Sequence, residues 1–202
     1  MNPEPEIRRL LDLMPASGRM MTKIVSKPQQ TKMIECSFPL PWSRERPISI
    51  NFDLWRRLAK PQRDMVLLRT VSWLTGVKWF KPDLYQGVVL AGLLAGVVEI
   101  GQGDAVGVAM ATGLSAIAGT QIWRTNRRSE SELEADAAAL KIAQRRGYSE
   151  VEAARHLGAA IKSLAEIEGR SGLDFTELIR TQNLRAIAGV SAVGVPDAIR
   201  QE

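Results

Sequence analysis

Apolar residues recur every three or four positions along much of this chain, which is the spacing of a helix with one buried face. Three such segments follow one another near the carboxyl end: Ser129–Arg146, Ser149–Glu168 and Asp174–Ile187. Each begins with Ser or Asp followed three residues later by Glu, which predicts a capping box, and the first two stop before a glycine. The clearest apolar stripe belongs to the second segment and consists of Val151, Ala154, Leu157, Ile161 and Leu164.

The amino-terminal part combines helical and extended patterns. Pro3–Met14 has the spacing of a short amphipathic helix, and Pro61–Leu74 that of a longer helix with proline in its first turn. Thr31–Phe38 and Pro47–Phe52 have the composition of strands, and the charged, proline-containing segment between them predicts a turn. Asp53–Leu58 predicts a single helical turn. We therefore expect a small β-hairpin between helices.

Two runs without charged residues lie in the middle of the chain, Leu84–Val98 and Ala105–Trp123. The second has 19 residues, and as a helix it would span about 28 Å, close to the thickness of the apolar part of a bilayer. Basic residues flank the two runs: Lys78, Lys81, Arg124, Arg127 and Arg128. This pattern predicts one transmembrane helical hairpin at 83–124, with both chain ends on the cytoplasmic or stromal side. A helical hairpin buried inside a soluble protein is the alternative.

The expected fold class is therefore mainly α with a small N-terminal β-hairpin, in a membrane-anchored helical domain with one transmembrane helical hairpin. Residues 1–82 would hold the first helix, the β-hairpin and the central helix, and 83–124 the transmembrane hairpin. Residues 125–188 would be the carboxyl-terminal helical part of the same domain, followed by an irregular tail at 189–202. Because Met1–Met20 contains no apolar segment, we expect no cleavable signal peptide.

The composition restricts the chemistry. The net charge of +5 comes from residues 1–86, with 15 basic and 8 acidic side chains, whereas residues 105–202 carry 12 of each. The bases are scattered and no recognition motif accompanies them, so we expect no nucleic-acid partner. One cysteine, Cys36, excludes an internal disulfide, and one histidine, His156, excludes most zinc sites. We expect Cys36 to be a buried apolar residue and His156 a partly exposed structural one.

The segment Ser131–Asp136, with Gly147-Tyr148 and Val151–Ala154 after it, resembles the HtpX-type membrane zinc metallopeptidases. In that family an E-x-x-A-D helix supplies the third zinc ligand. Glu132 stands at the ligand position and Asp136 at the supporting position. The order of parts is also similar: a β-hairpin, a helix with HExxH, often a transmembrane hairpin, then the glutamate helix. The resemblance implies a zincin-like helical domain.

The chain departs from this family at the zinc-binding helix. The best register places Leu68 and Ser72 at the two histidine positions and Arg69 at the general base. Two imidazoles four residues apart and a neighbouring glutamate are what hold zinc and activate its water, and a single glutamate cannot replace them. We therefore expect no catalytic residue, metal or cofactor. Glu132 is expected to cap the helix that starts at Ser129. The alternative is a relict site in which Glu132 pairs with Arg69.

These observations predict a non-catalytic, pseudoprotease-like integral membrane protein that binds other membrane proteins and helps to assemble or maintain them. Its expected partners are the lipid bilayer and those proteins. The plan is also similar to an uncharacterised cyanobacterial and plastid family, which implies an inner or thylakoid membrane. One alternative is a soluble helical interaction protein. An active membrane metallopeptidase is the other, and the missing HExxH argues against it.

Overall fold

The computed structural model describes residues 3–38, 45–76 and 129–190. They belong to one compact unit. The elements of the described part, in chain order, are α1 (Glu4–Leu13), α2 (Ala16–Met21), β1 (Thr22–Ser26), β2 (Ile34–Cys36), β3 (Arg46–Ile50), α3 (Phe52–Trp55), α4 (Lys60–Gly76), α5 (Ser129–Gln144), α6 (Glu150–Ile167) and α7 (Phe175–Ile187).

The three strands form one small sheet in the order β1–β3–β2. β2 and β3 are antiparallel, with Ile34 opposite Ile50, so the two strands predicted as a hairpin do pair. β1 adds to the other edge of β3 in parallel, with Thr22 opposite Arg46. The predicted β-hairpin is therefore part of a three-stranded sheet. Ile48 and Ile50 are fully buried, so the middle strand supplies the sheet's contribution to the core.

Helix α4 lies between two apolar clusters. Leu67 and Val71 belong to the cluster that includes α1, the sheet and α3. Met65 and Leu68 belong to a second cluster with side chains of α5, α6 and α7. A helix buried on both sides has apolar residues around its whole circumference instead of in one stripe. Helix α4 is therefore at the centre of the described unit.

The ends of the last two helices follow the predicted signals. Ser149 and Glu152 form a capping box at the start of α6, and Asp174 and Glu177 form one at the start of α7. Gly147 follows α5 with a backbone φ of 91°, a left-handed conformation that glycine adopts without steric cost. The capping predictions for α6 and α7 are confirmed, and these helices begin and end within one residue of the predicted bounds.

The structure overturns the prediction of a membrane-anchored fold. Among residues 3–38, 45–76 and 129–190, no helix combines the length and the apolar character needed to cross a membrane. The hairpin predicted at 83–124 lies outside these residues, as does the tail from 191 onward. On this finding the transmembrane fold class is wrong, and so is the prediction of an integral membrane protein with both termini cytoplasmic or stromal. The mainly helical character with a small sheet remains.

Candidate functional site

Four charged side chains from three helices meet beside α4, and we call them the charge cluster. Glu132 and Asp136 are four residues apart on α5, so they lie on the same face of that helix. Arg69 comes from α4 and Arg180 from α7. Asp136 is fully buried and Arg180 is 8% exposed. The cluster therefore holds two positive and two negative groups inside the protein.

The strongest contact in the charge cluster joins Arg180 to Asp136. Arg180 Nε donates to Asp136 Oδ2 and Arg180 Nη2 donates to Asp136 Oδ1, both at 2.8 Å. Such a two-pronged guanidinium–carboxylate pair is both strong and geometrically specific. Arg180 Nη1 also lies 3.7 Å from Glu132 Oε2. Arg180 thus faces both carboxylates of α5.

Arg69 completes the charge cluster from the side of α4. Its guanidinium forms an ion pair with the Glu132 carboxylate, and its Nε lies 3.8 Å from Asp136 Oδ1. Burial, and next the positive charge of Arg180, lower the pKa of Arg69 to about 10, which leaves it protonated at neutral pH. Each carboxylate therefore has two guanidinium neighbours, and the cluster has no net charge.

The structure places the other two predicted relict positions differently. Leu68 is fully buried in the apolar cluster shared with α5, α6 and α7. Ser72, one turn further along α4, is also buried, and its hydroxyl has no hydrogen-bond partner among the described residues. The Arg69–Glu132 contact that the resemblance implies is present. Its origin as a relict of a zinc site stays a prediction, and so does the capping role of Glu132, because the side chain of Ser129 lies outside the described residues.

Nothing in the described ranges supplies a set of metal ligands: no group of three or more His, Cys, Asp and Glu side chains there is arranged to hold an ion. Glu132 and Asp136 are the two carboxylates closest to such a role, and both are paired with arginine. Leu68 has no ligand atom. The arrangement can fix three helices to one another, and its charges are already satisfied.

Sequence reasoning missed Arg180. The position of Arg180 in the sequence could have revealed it. Arg180, Leu184 and Ile187 follow the i, i+4, i+7 spacing of an apolar stripe on α7. A charged residue in such a stripe needs a buried partner of opposite charge. Asp136, in an alanine-rich helix, carries the complementary signal.

A model of a family described as a protein of unknown function, DUF3318, matches residues 8–148 of the chain. The chain belongs to the DUF3318 family. It is also similar to the thylakoid membrane protein slr1949 of Synechocystis sp., with 29% identity over 169 residues that cover 80% of this chain and 77% of the relative. No solved structure matches the chain. The family match includes Arg69, Glu132 and Asp136 but ends before Arg180. The resemblance to HtpX-type metallopeptidases stays a prediction.

This DUF3318 protein has a second polar network, which ties α1 to α4 and to the connection between α5 and α6. Arg9 donates from Nε and Nη2 to the Glu6 carboxylate at 2.9 and 2.8 Å, and from Nη1 to Asp64 Oδ1 at 2.5 Å. The Tyr148 hydroxyl donates to Asp64 Oδ2 at 2.8 Å. Burial, and next the hydrogen bond to Asp64, raise the pKa of Tyr148 to about 12. Its groups satisfy one another, so this network fits a structural role.

The lone cysteine and histidine of the DUF3318 chain form no hydrogen bond within either network. Cys36 is half-buried on β2, and burial raises the pKa of its thiol to about 11. A thiol that stays protonated at neutral pH is a poor nucleophile. The His156 ring lies edge-on to Tyr148, with ring centroids 6.2 Å apart. These positions agree with structural roles for both residues.

Proposed function

We propose that this DUF3318 protein is a non-catalytic, membrane-associated protein that binds other membrane proteins and helps to assemble or maintain them. The observation that carries the proposal is the charge cluster, in which Arg69 and Arg180 neutralise the two carboxylates that a peptidase of the resembled type would use at its metal. The relative's name as a thylakoid membrane protein supports the membrane as the place of action.

The charges of the cluster oppose a zinc ion at this position. Two unit charges of the same sign 4 Å apart repel each other by about 4 kcal/mol at an effective dielectric constant of 20. A zinc ion carries two positive charges, so at that distance each of Arg69 and Arg180 would repel it about twice as strongly. It would also lack the ligands that histidines supply in the resembled family, because Leu68 and Ser72 stand there. Binding of partner proteins needs no metal, so it is compatible with the charge cluster.

The absence of metal chemistry is tested on the purified full-length protein. We expect no stoichiometric zinc by elemental analysis and no cleavage of unfolded casein, with or without added zinc. The matched variant is Glu132→Gln, which removes the one ligand that the resemblance provides and should change neither result. Near-equimolar zinc together with proteolysis that a chelator and Glu132→Gln both abolish would contradict the non-catalytic proposal.

The binding role is tested with the tagged chain in cells that contain thylakoids. The chain should sediment with the membranes, and after detergent solubilisation it should bring down a reproducible set of membrane proteins that an equally tagged unrelated protein does not. A soluble helical interaction protein, the second candidate, would share the charge cluster but remain in the supernatant. Recovery there, with no membrane protein captured, would refute the proposal.

A further inference from the structure

A groove of about 230 Å³ runs between α6 and α7. Its floor consists of small or apolar residues, namely Ala154, Gly158, Ala159, Leu184 and Ala188. The α6 part covers residues 154–162, which is two helical turns and about 12 Å. Small residues let another helix approach closely, so the groove has the length and depth to receive one face of a short helix.

The rim of this groove is positively charged. Arg155 and Lys162 from α6 and Arg185 from α7 line it, and all three are exposed. Within the part of the chain that the structure describes, none of the three forms an ion pair with an acidic side chain. Arg155 lies within electrostatic range of Glu152. Three exposed cations around an apolar floor nevertheless favour an acidic occupant.

An unsatisfied hydroxyl gives a second and independent sign of a ligand. Thr181 lines the groove and is only 5% exposed, and its Oγ1 is buried without a hydrogen-bond partner among the described residues. Buried polar atoms in folded proteins almost always have a partner. A polar group of a bound segment would supply one here if Thr181 turned its hydroxyl into the groove.

We propose that the α6–α7 groove binds an acidic amphipathic helix of a partner protein, an inference that rests on the proposed function. The apolar face of that helix would lie on the small residues of the floor, and its carboxylates would pair with Arg155, Lys162 and Arg185. A helix fits better than a bilayer surface, because Ala154, Leu184 and Ala188 of the floor are buried between two helices, where a flat surface does not reach them.

The test uses a probe peptide and the full-length protein. The probe is a fluorescein-labelled, 18-residue amphipathic helix made of leucine, alanine and glutamate, and its binding is followed by fluorescence anisotropy. We expect saturable binding that weakens as salt increases. The same peptide with lysine in place of every glutamate should not bind.

Two variants locate the site. The first variant reverses the charge of the rim and should weaken peptide binding at least tenfold: it combines Arg155→Glu, Lys162→Glu and Arg185→Glu. The second variant, Ala159→Leu, fills the groove from an exposed position and should weaken binding without a change in charge. The control has the same change in net charge at exposed sites that do not line the groove: Arg19→Glu, Lys141→Glu and Arg145→Glu. It should alter the affinity less than threefold.

Three other outcomes overturn the inference, and a fourth separates it from the proposed function. Equal loss of binding in the rim and control variants would show attraction by net charge alone. No peptide binding, with vesicles of anionic lipid bound through the rim residues instead, would assign the groove to lipid. If the peptide fails while the tagged chain still captures membrane proteins, the proposed function stands and the partner binds elsewhere. If the peptide binds through the rim but no membrane protein is captured, the groove stands and the proposed function fails.

Discussion

Replacing Arg180 by methionine should remove much of the described unit's free energy of unfolding. The substitution keeps the unbranched apolar stem of the side chain but removes the guanidinium, so both 2.8 Å hydrogen bonds to Asp136 are lost. Asp136 is fully buried, so water cannot replace them. Removing one partner of a buried ion pair leaves an uncompensated charge and costs roughly 3–5 kcal/mol.

The structure places the expected cost near the lower end of that range. Two hydrogen bonds to a charged group contribute about 1.5–3 kcal/mol each, but Arg69 Nε, 3.8 Å from Asp136 Oδ1, remains as a counter-charge. We therefore expect a loss of about 3–4 kcal/mol in the free energy of unfolding. For a unit of about 150 residues this lowers the melting temperature by roughly 6–16 °C.

The assay is urea and thermal unfolding followed by circular dichroism at 222 nm. Arg185→Met on the same helix is the matched control, because Arg185 is exposed and its loss should cost less than about 0.5 kcal/mol. Adding Asp136→Leu to Arg180→Met should recover much of the loss, since no unpaired charge then remains. An Arg180→Met variant with the same free energy of unfolding as Arg185→Met would show that the buried pair does not stabilise the fold.

Two further predictions concern other parts of the unit. Because folding raises the pKa of Tyr148 to about 12, its contribution to stability is complete below about pH 10 and is lost as the pH rises through 12. Absorbance at 295 nm should show one of the two tyrosines ionising near pH 12, and Tyr148→Phe should remove that transition and cost about 1.5–3 kcal/mol. Gly158→Ala should stabilise α6 by about 0.5–1 kcal/mol, since a Cβ there would meet Leu184 at an ordinary 3.7 Å. Gly147→Ala, at a φ of 91°, should destabilise by about 1 kcal/mol; equal effects of the two glycine substitutions in urea unfolding would refute the backbone argument.

The helices after residue 129 could be predicted because their signals are local. A capping box, an apolar stripe and a terminal glycine lie within one segment, and each depends only on the backbone of that segment. The segments predicted as Ser149–Glu168 and Asp174–Ile187 accordingly become Glu150–Ile167 and Phe175–Ile187 in the structure.

The edge strand β1 was missed for the opposite reason. Thr22–Ser26 is only five residues long, and it pairs in parallel with β3, more than twenty residues further along the chain. Its Thr, Ile and Val favour a strand, but the partner that makes it one is not visible in the local pattern. The helix before it, Ala16–Met21, is six residues long and starts beside a proline, and it was not predicted either.

The candidate site shows the same division between local and distant information. The resemblance leads to Arg69 and Glu132, because both positions lie within the pattern of the metallopeptidase helices, and the structure has their contact. It does not lead to Arg180, which comes from a later helix and lies beyond the residues of the family match. Yet Asp136, fully buried in α5, needs a cation more than the partly exposed Glu132 does, and Arg180 is the group that donates two hydrogen bonds to it. Carboxylates held inside a protein need positive charge from neighbouring side chains, since an unpaired buried carboxylate costs too much. Arg69 supplies part of that charge, and Arg180 supplies the part that fixes α7 to α5.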